Sequence, residues 1–304
     1  MLGQHLDLRS LEYAMLGLDD LQYPQFCAFA RRLDRRLREL GATPLFDRLE
    51  ADRADPAVLR RWQQLGQLAG DSQFSDWQAV DYQSWTLRWR QCLNPGSRGA
   101  PVFHLQLRPD AADWQAGDGH LELLVREMRR PDGRPGLGSG WLCRHAAPGE
   151  TIDLRVRATP GFRLPADCGP LILIGNGTGL ASLRAHLRER ARLGRHGHWL
   201  LYGERNAAHD RFFAAELEAW QRDGHLARLD LAFSRGQAEP VYVQHLLREA
   251  ADELRAWLAR GASLLVCGSL QGMGREVDAL LHGLLGSAEV ERLRETGRYR
   301  RDLY

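Results

Sequence analysis

Three glycines spaced two apart, Gly175, Gly177 and Gly179, interrupt the stretch Leu171 to Leu183 (LILIGNGTGLASL). Four branched apolar residues precede them, as a buried strand requires, and a helix-forming run follows. A glycine turn between strand and helix lets the backbone approach a pyrophosphate, and the helix N-terminus offers free N–H groups to it. Thr178 adds a hydroxyl. The pattern is GxGxG rather than GxGxxG, and no acidic residue follows at the usual distance for a ribose. The motif alone therefore predicts a nucleotide but leaves a ligand-free βα turn open.

Further residues fit the same chemistry. Ser234 and Arg235, in FSRGQ, follow a third strand and form a seat for a 2′-phosphate. Tyr242 offers an aromatic face to an adenine. Cys267 ends the strand SLLVCG, where ligands sit in open α/β sheets. Each has a plainer alternative: a solvated loop cation, a helix-start aromatic and a buried small hydrophobe.

Other chemistries find no support. No G-x-S-x-G elbow occurs. The eleven histidines (5, 104, 120, 145, 186, 196, 198, 209, 225, 245 and 282) give no HExxH or other metal spacing and are expected mostly at the surface. The five cysteines (27, 92, 143, 168 and 267) are scattered and odd in number, which predicts neither a disulfide framework nor a zinc site and favours the reducing cytoplasm. A net charge of +2 gives no global field for nucleic acid or anionic membrane. No apolar run approaches the ~20 residues of a spanning helix, and the first residues lack the pattern of a signal peptide. Every one of the 41 fixed cations is arginine, so any anion held by such a side chain meets a forked guanidinium.

The elements that position these residues follow from periodicity. Residues 1–72 read as strand, helix, strand, helix: LEYAMLGL, a helix closed by Gly41, TPLFDRLEAD, and a helix opened by Asp55 and Pro56. The arginine run ARRLDRRLRE is expected to be a solvated helix face. A polar linker covers 73–84. Residues 85–165 alternate as a small antiparallel sheet or barrel would: WTLRWRQCL, PVFHLQLRP, HLELLVREM and TIDLRVRAT. Residues 166–304 alternate strand and helix, a parallel sheet with crossover helices ending in two helical stretches.

The motifs GNGTG, YGERN, FSR, YVQ, VCGSLQGM and the terminal GRYRRDLY, in that order, resemble the reductase module of NADPH diflavin reductases, such as the flavoprotein of sulfite reductase. LNPGS, WQAGD and GLGSGWLC resemble the FAD-binding barrel of that family, and YAMLGLDDLQYPQFCAFARRLD the second half of its flavodoxin domain. The resemblance implies an α/β chain: a partial flavodoxin-like segment, then a ferredoxin-NADP reductase-like module of barrel remnant and doubly wound NADP-binding sheet. It also implies roles. Gly175, Gly177, Thr178 and Gly179 would hold the NADPH pyrophosphate. Arg205, Ser234 and Arg235 would surround the 2′-phosphate and adenine ribose, with Tyr242 on the adenine. Gln244 and Met273, inside YVQ and VCGSLQGM, join the cofactor-binding set. Cys267 and Asp302 would flank the nicotinamide, and Tyr304 would cover the flavin ring. Gly136, Leu137, Gly138 and Ser139 would bind the FAD pyrophosphate, and Tyr23 would stack on FMN. Electrons would leave for a hemoprotein or sulfite-reductase-like partner, the cofactors carrying the redox chemistry.

Three departures qualify these expectations. The family's Arg-x-Tyr-Ser segment, which seats the flavin ring, belongs between WQAGD and HLELLVRE, yet Asp118 is followed directly by Gly119 and His120. The FAD site is thus incomplete. The chain starts inside the flavodoxin domain, without the Ser/Thr-rich phosphate loop, so FMN binding is not expected; Asp19 also stands where the family has Gly. Pro240 replaces the cation before YVQ. An NADP(H)-binding module, or a decayed reductase fragment without flavin turnover, is the alternative reading.

Overall fold

The computed structural model describes residues 7–20, 26–53, 55–68, 82–110, 119–156, 160–165, 167–237 and 239–304. The chain divides into two compact units, Met1–Asp81 and Tyr82–Tyr304.

In the first unit, β1 (Glu12–Tyr13) and β2 (Leu16–Asp19) come from LEYAMLGL, which splits rather than forming one strand. Helix α1 (Ala28–Glu39) follows, then β3 (Thr43–Pro44), β4 (Leu49–Asp52) and α2 (Pro56–Leu68). The strands pair in parallel, β1 with β3 and β2 with β4. The sequence predicts a buried first strand, but Leu18 is 60% exposed. Nor is the arginine-rich helix only a solvated face. It buries Asp34, which accepts hydrogen bonds from the Tyr13 hydroxyl (2.5 Å) and Arg48 Nη1 (2.6 Å). Asp19 is not idle either: its carboxylate accepts the backbone N–H of Cys27 (2.7 Å), directly before α1.

The second unit begins with a four-stranded antiparallel sheet: β5 (Gln83–Cys92), β6 (Val102–Pro109), β7 (Leu121–Arg126) and, after the short helix α3 (Leu137–Gly140), β8 (Thr151–Leu154). Its order is β7-β6-β5-β8. Trp85, Leu87, Leu105 and Leu107, alternating along β5 and β6, fill its core.

A parallel sheet follows: β9 (Leu171–Asn176), α4 (Leu180–Arg192), β10 (His198–Asn206), α5 (Ala214–Arg222) and β11 (Leu226–Arg235). The helical stretch after it breaks at Ala250 into α6 (Val243–Glu249) and α7 (Ala251–Ala259). Then come β12 (Ser263–Gly268), α8 (Arg275–Leu285), α9 (Ser287–Glu295) and β13 (Tyr299–Leu303). The order β11-β10-β9-β12-β13 winds outward from β9 in both directions. The crevice at its C-terminal end is the switch point where such sheets bind ligands. Along β9, Ile172 and Ile174 face one core, with α6 to α9, while Leu171 and Leu173 face the other, with α4 and α5. The periodicity missed β13, whose residues YRRDL are mostly polar; it is an edge strand paired only with β12 among the described strands.

Glu122 on β7 joins the antiparallel sheet to α4. It pairs with Arg184, Arg188 (2.8 Å) and His104 (2.9 Å), and Glu216 on α5 binds both arginines in turn. Three histidines, His104, His198 and His225, are exceptions to the surface expectation and lie buried.

Candidate functional site

The loop after β9 carries the glycine turn, and the structure divides its three glycines into two kinds. A Cβ at Gly175 would lie 2.7 Å from the Cys267 carbonyl, and one at Gly179 would overlap that carbonyl outright. Both are glycine so that β12 can pass close behind the turn. Gly177 differs. Its φ of +59° is a left-handed conformation, and its nearest neighbours would be Arg126 Nη2 at 3.6 Å and Glu204 Oε1 at 3.8 Å. It is the glycine of the three that lines the cavity and has room for a Cβ at ordinary contact distance. Asn176 fixes the turn to the loop after β12: its side-chain amide donates to Ser269 Oγ (3.1 Å) and its oxygen accepts the Ser269 N–H (2.9 Å).

In front of Gly177 and Thr178 opens a cavity of about 560 Å³. The ends of β10 and β11 contribute Arg205 and Ser234 to its wall, and the start of α6 contributes Tyr242 and Gln244. Met273 and the C-terminal Tyr304 complete it. Residues far apart in sequence thus converge on one space. Tyr242 stays 45% exposed, available for stacking, with its ring edge-on to His245 at 5.5 Å. Gln244 Oε1 is buried with no hydrogen-bond partner among the described residues, an acceptor that a ligand N–H or O–H would satisfy. The Ser234 hydroxyl lies 3.4 Å from the Glu204 carbonyl.

Tyr304 reaches back over the turn, its hydroxyl 2.8 Å from Thr178 Oγ1, while its residue remains 64% exposed. Burial of the hydroxyl raises its pKa.

Other predicted residues lie elsewhere. Arg235 is exposed at the end of β11 and is not part of the cavity wall. Cys267 is fully buried in the core beneath the turn; burial pushes its thiol up to about 11, which keeps it a neutral thiol. Asp302 lies opposite it in the β12–β13 ladder, half-buried. Tyr23 and the WQAGD stretch fall outside the described residues.

Gly136 to Ser139 form the turn into α3. The Ser139 hydroxyl accepts the backbone N–H of Met128 (3.0 Å), Gly138 is open, and Leu137 is 80% exposed. Met128 also lines the cavity in front of Gly177, so the two places adjoin. The Arg, Tyr and Ser expected to seat a flavin ring have no counterpart in the sequence between Asp118 and His120. No group of three or more His, Cys, Asp or Glu among the described residues could hold a metal ion.

Sequence reading missed Arg126 and Glu204. Arg126 ends β7, and Glu204 lies in β10 with a side chain only 2% exposed; the two form an ion pair across the two sheets. Burial pushes the Glu204 carboxyl up, against the opposing pull of Arg126. The signals available were weak: an arginine closing an apolar strand, and the Glu of YGERN.

Comparison with known proteins agrees with this architecture. Residues 2–61 match the flavodoxin family, and residues 173–278 the oxidoreductase NAD-binding domain. The chain is similar to the sulfite reductase [NADPH] flavoprotein alpha-component of Neisseria meningitidis serogroup B (strain ATCC BAA-335 / MC58), 36% identical over 232 residues, covering 69% of this chain and 38% of that protein. The protein of that name from Mannheimia succiniciproducens is 37% identical over 198 residues, covering 61% and 33%. That from Vibrio vulnificus (strain CMCP6) is 37% identical over 198 residues, covering 61% and 32%. The matched segments thus span about a third of these relatives' own length. A flavodoxin segment followed by an NAD-binding oxidoreductase domain, with relatives of this kind, supports the resemblance to the NADPH diflavin reductase family.

Proposed function

We propose that the chain is an NADPH-dependent flavoprotein oxidoreductase that passes electrons from NADPH through FAD to a hemoprotein or sulfite-reductase-like acceptor. The cavity at the switch point carries this reading, because it gathers Gly177, Arg205, Ser234 and the exposed Tyr242 in one space. Gly177 and Thr178 would take the pyrophosphate, Arg205 and Ser234 the adenosine 2′-phosphate, and Tyr242 the adenine. Arg235 would close on the phosphate from the rim. Bound NADPH supplies a hydride. Tyr304 would shield the reacting faces from water and yield its place as the nicotinamide enters, while Cys267, neutral and buried, and Asp302 would support the floor beneath it.

The missing Arg-x-Tyr-Ser segment favours a second reading, an NADP(H)-binding module without flavin turnover. Several lost hydrogen bonds and a lost ring stack are worth several decades of affinity. An absorption spectrum of the purified protein with added FAD, before and after anaerobic NADPH, separates the two. A bound flavin band that NADPH bleaches supports the oxidoreductase. NADPH binding with no flavin retained supports the module.

A further inference from the structure

The guanidinium of Arg126 stands where the second unit's two sheets meet. Its Nη2 donates to Glu204, and its Nη1 is buried with no hydrogen-bond partner among the described residues. Its side chain is 17% exposed, it lines the nucleotide cavity, and a Cβ on Gly177 would lie 3.6 Å from Nη2. A guanidinium has five donors in a fixed fork. A buried one with an arm unpaired is costly until an anion meets it. Glu204 is itself held from several sides. Its Oε2 accepts the Arg205 N–H (3.0 Å), and the Tyr202 hydroxyl lies 3.5 Å from Oε1 while also donating to the Gly177 carbonyl (3.0 Å). Glu204 therefore fixes one arm of Arg126 beside the turn and leaves donors over.

We propose that Arg126, supplied by the antiparallel sheet, is the cation that meets the dinucleotide pyrophosphate at Gly177, and that Glu204 is its positioning residue. This deepens the proposed NADPH site and rests on it. The glycine turn supplies backbone N–H groups but no charge; Arg126 adds the charge. It also makes nucleotide binding depend on the docking of the antiparallel sheet against the parallel one, which Glu122 secures from the other end of β7. A pyrophosphate could equally belong to FAD, because Met128 and the Gly136 turn adjoin. The approach of Arg126 to Gly177 assigns it to NADPH.

The test compares the full chain as wild type, Glu204→Gln, and the double variant Arg126→Gln/Glu204→Gln, which leaves no buried charge unpaired. Dissociation constants are measured by calorimetry for NADPH, for 2′-AMP, which has the 2′-phosphate but no pyrophosphate, and for FAD. Because the side-chain amide oxygen introduced by E204Q can still accept from Arg126, this variant is expected to bind NADPH within a few-fold of wild type. The double variant is expected to bind NADPH about 10- to 100-fold more weakly than E204Q, the value of a charge-assisted hydrogen bond, and 2′-AMP unchanged. Equal NADPH affinity in E204Q and the double variant would overturn the assignment. So would parallel loss of NADPH and 2′-AMP, which marks a merely structural role, or a loss confined to FAD. If wild type binds neither NADPH nor 2′-AMP, the NADPH site itself fails, and the assignment with it.

Discussion

Strand β9 buries five residues in succession, Leu171 to Gly175, whereas β2 buries only Gly17 and β4 only Ala51. Both regions are built of parallel strands and helices. The difference lies in what covers them. Parallel strands read as continuous apolar runs when helices cover both faces, and β9 has α4 and α5 on one side and α6 to α9 on the other. The N-terminal strands form two-stranded pairs, and α1 brings them a buried aspartate instead of an apolar stripe. Among the described residues the contacts that join them are largely polar: Asp34 with Tyr13 and Arg48, Glu50 with Arg31 (2.6 Å) and Arg48 (2.8 Å), Asp19 with Cys27. One region is held by area removed from water, the other by pairs that salt and acid weaken.

Core truncation would break this contrast most directly. Leu173→Ala, in a fully buried position, is expected to cost about 2–5 kcal/mol. Leu18→Ala, at a 60% exposed position, should stay within about 0.5 kcal/mol. Urea unfolding curves of the two variants measure this, and equal losses would remove the distinction.

Acid should separate the units by pH window. His198 accepts the Leu171 N–H at Nδ1 (3.1 Å) and donates from Nε2 to the Arg195 carbonyl (3.1 Å), so it is held neutral. Burial lowers its pKa to about 4. Below its ordinary value near 6.5 the unfolded chain takes up the proton first, so stability falls as pH drops from about 6.5 to about 4, by about 3 kcal/mol in all. Glu50 works lower: Arg31 and Arg48 hold its carboxyl at about 2. Its contribution is complete above about pH 4.5 and disappears towards pH 2. Hydrogen exchange followed by mass spectrometry from pH 7 to 3 should show β9 and β10 losing the His198 contribution before β4 loses that of Glu50. His198→Gln should flatten only the upper window.

The glycines allow a finer test inside the parallel sheet. Gly179→Ala forces a methyl onto the Cys267 carbonyl and should cost about 1–3 kcal/mol of stability. Gly177→Ala makes only ordinary contacts, with Arg126 and Glu204, but on a left-handed backbone, so it should cost about 1 kcal/mol and chiefly weaken NADPH binding. Thermal unfolding and NADPH titration of both variants distinguish the roles. The smallest effect belongs to the N-terminal unit. Asp19→Ala removes the acceptor for the Cys27 N–H and should lower protection of α1 by about 1 kcal/mol; unchanged exchange in α1 would mean that Asp19 holds nothing there.

Local pattern reached far into this chain. The alternation of apolar strands with amphipathic helices after residue 166 predicted the parallel sheet, because burial on both faces imposes that pattern on every strand. The motif order from GNGTG to the terminal Tyr304 located most of the cavity wall, since those residues sit at strand ends that the topology brings together. Tertiary structure alone decided the rest. Nothing local marks β13 as a strand, for its polar residues lie at a sheet edge. Only the passage of β12 behind the turn separates Gly175 and Gly179, which make room for a carbonyl, from Gly177, which faces the cavity. The same packing buries Cys267 in the core and leaves Arg235 outside the cavity wall. The Arg126–Glu204 pair spans 78 residues of sequence and two sheets. A charge placed by such a contact has no periodicity to reveal it, because its partner is chosen by how the two sheets dock.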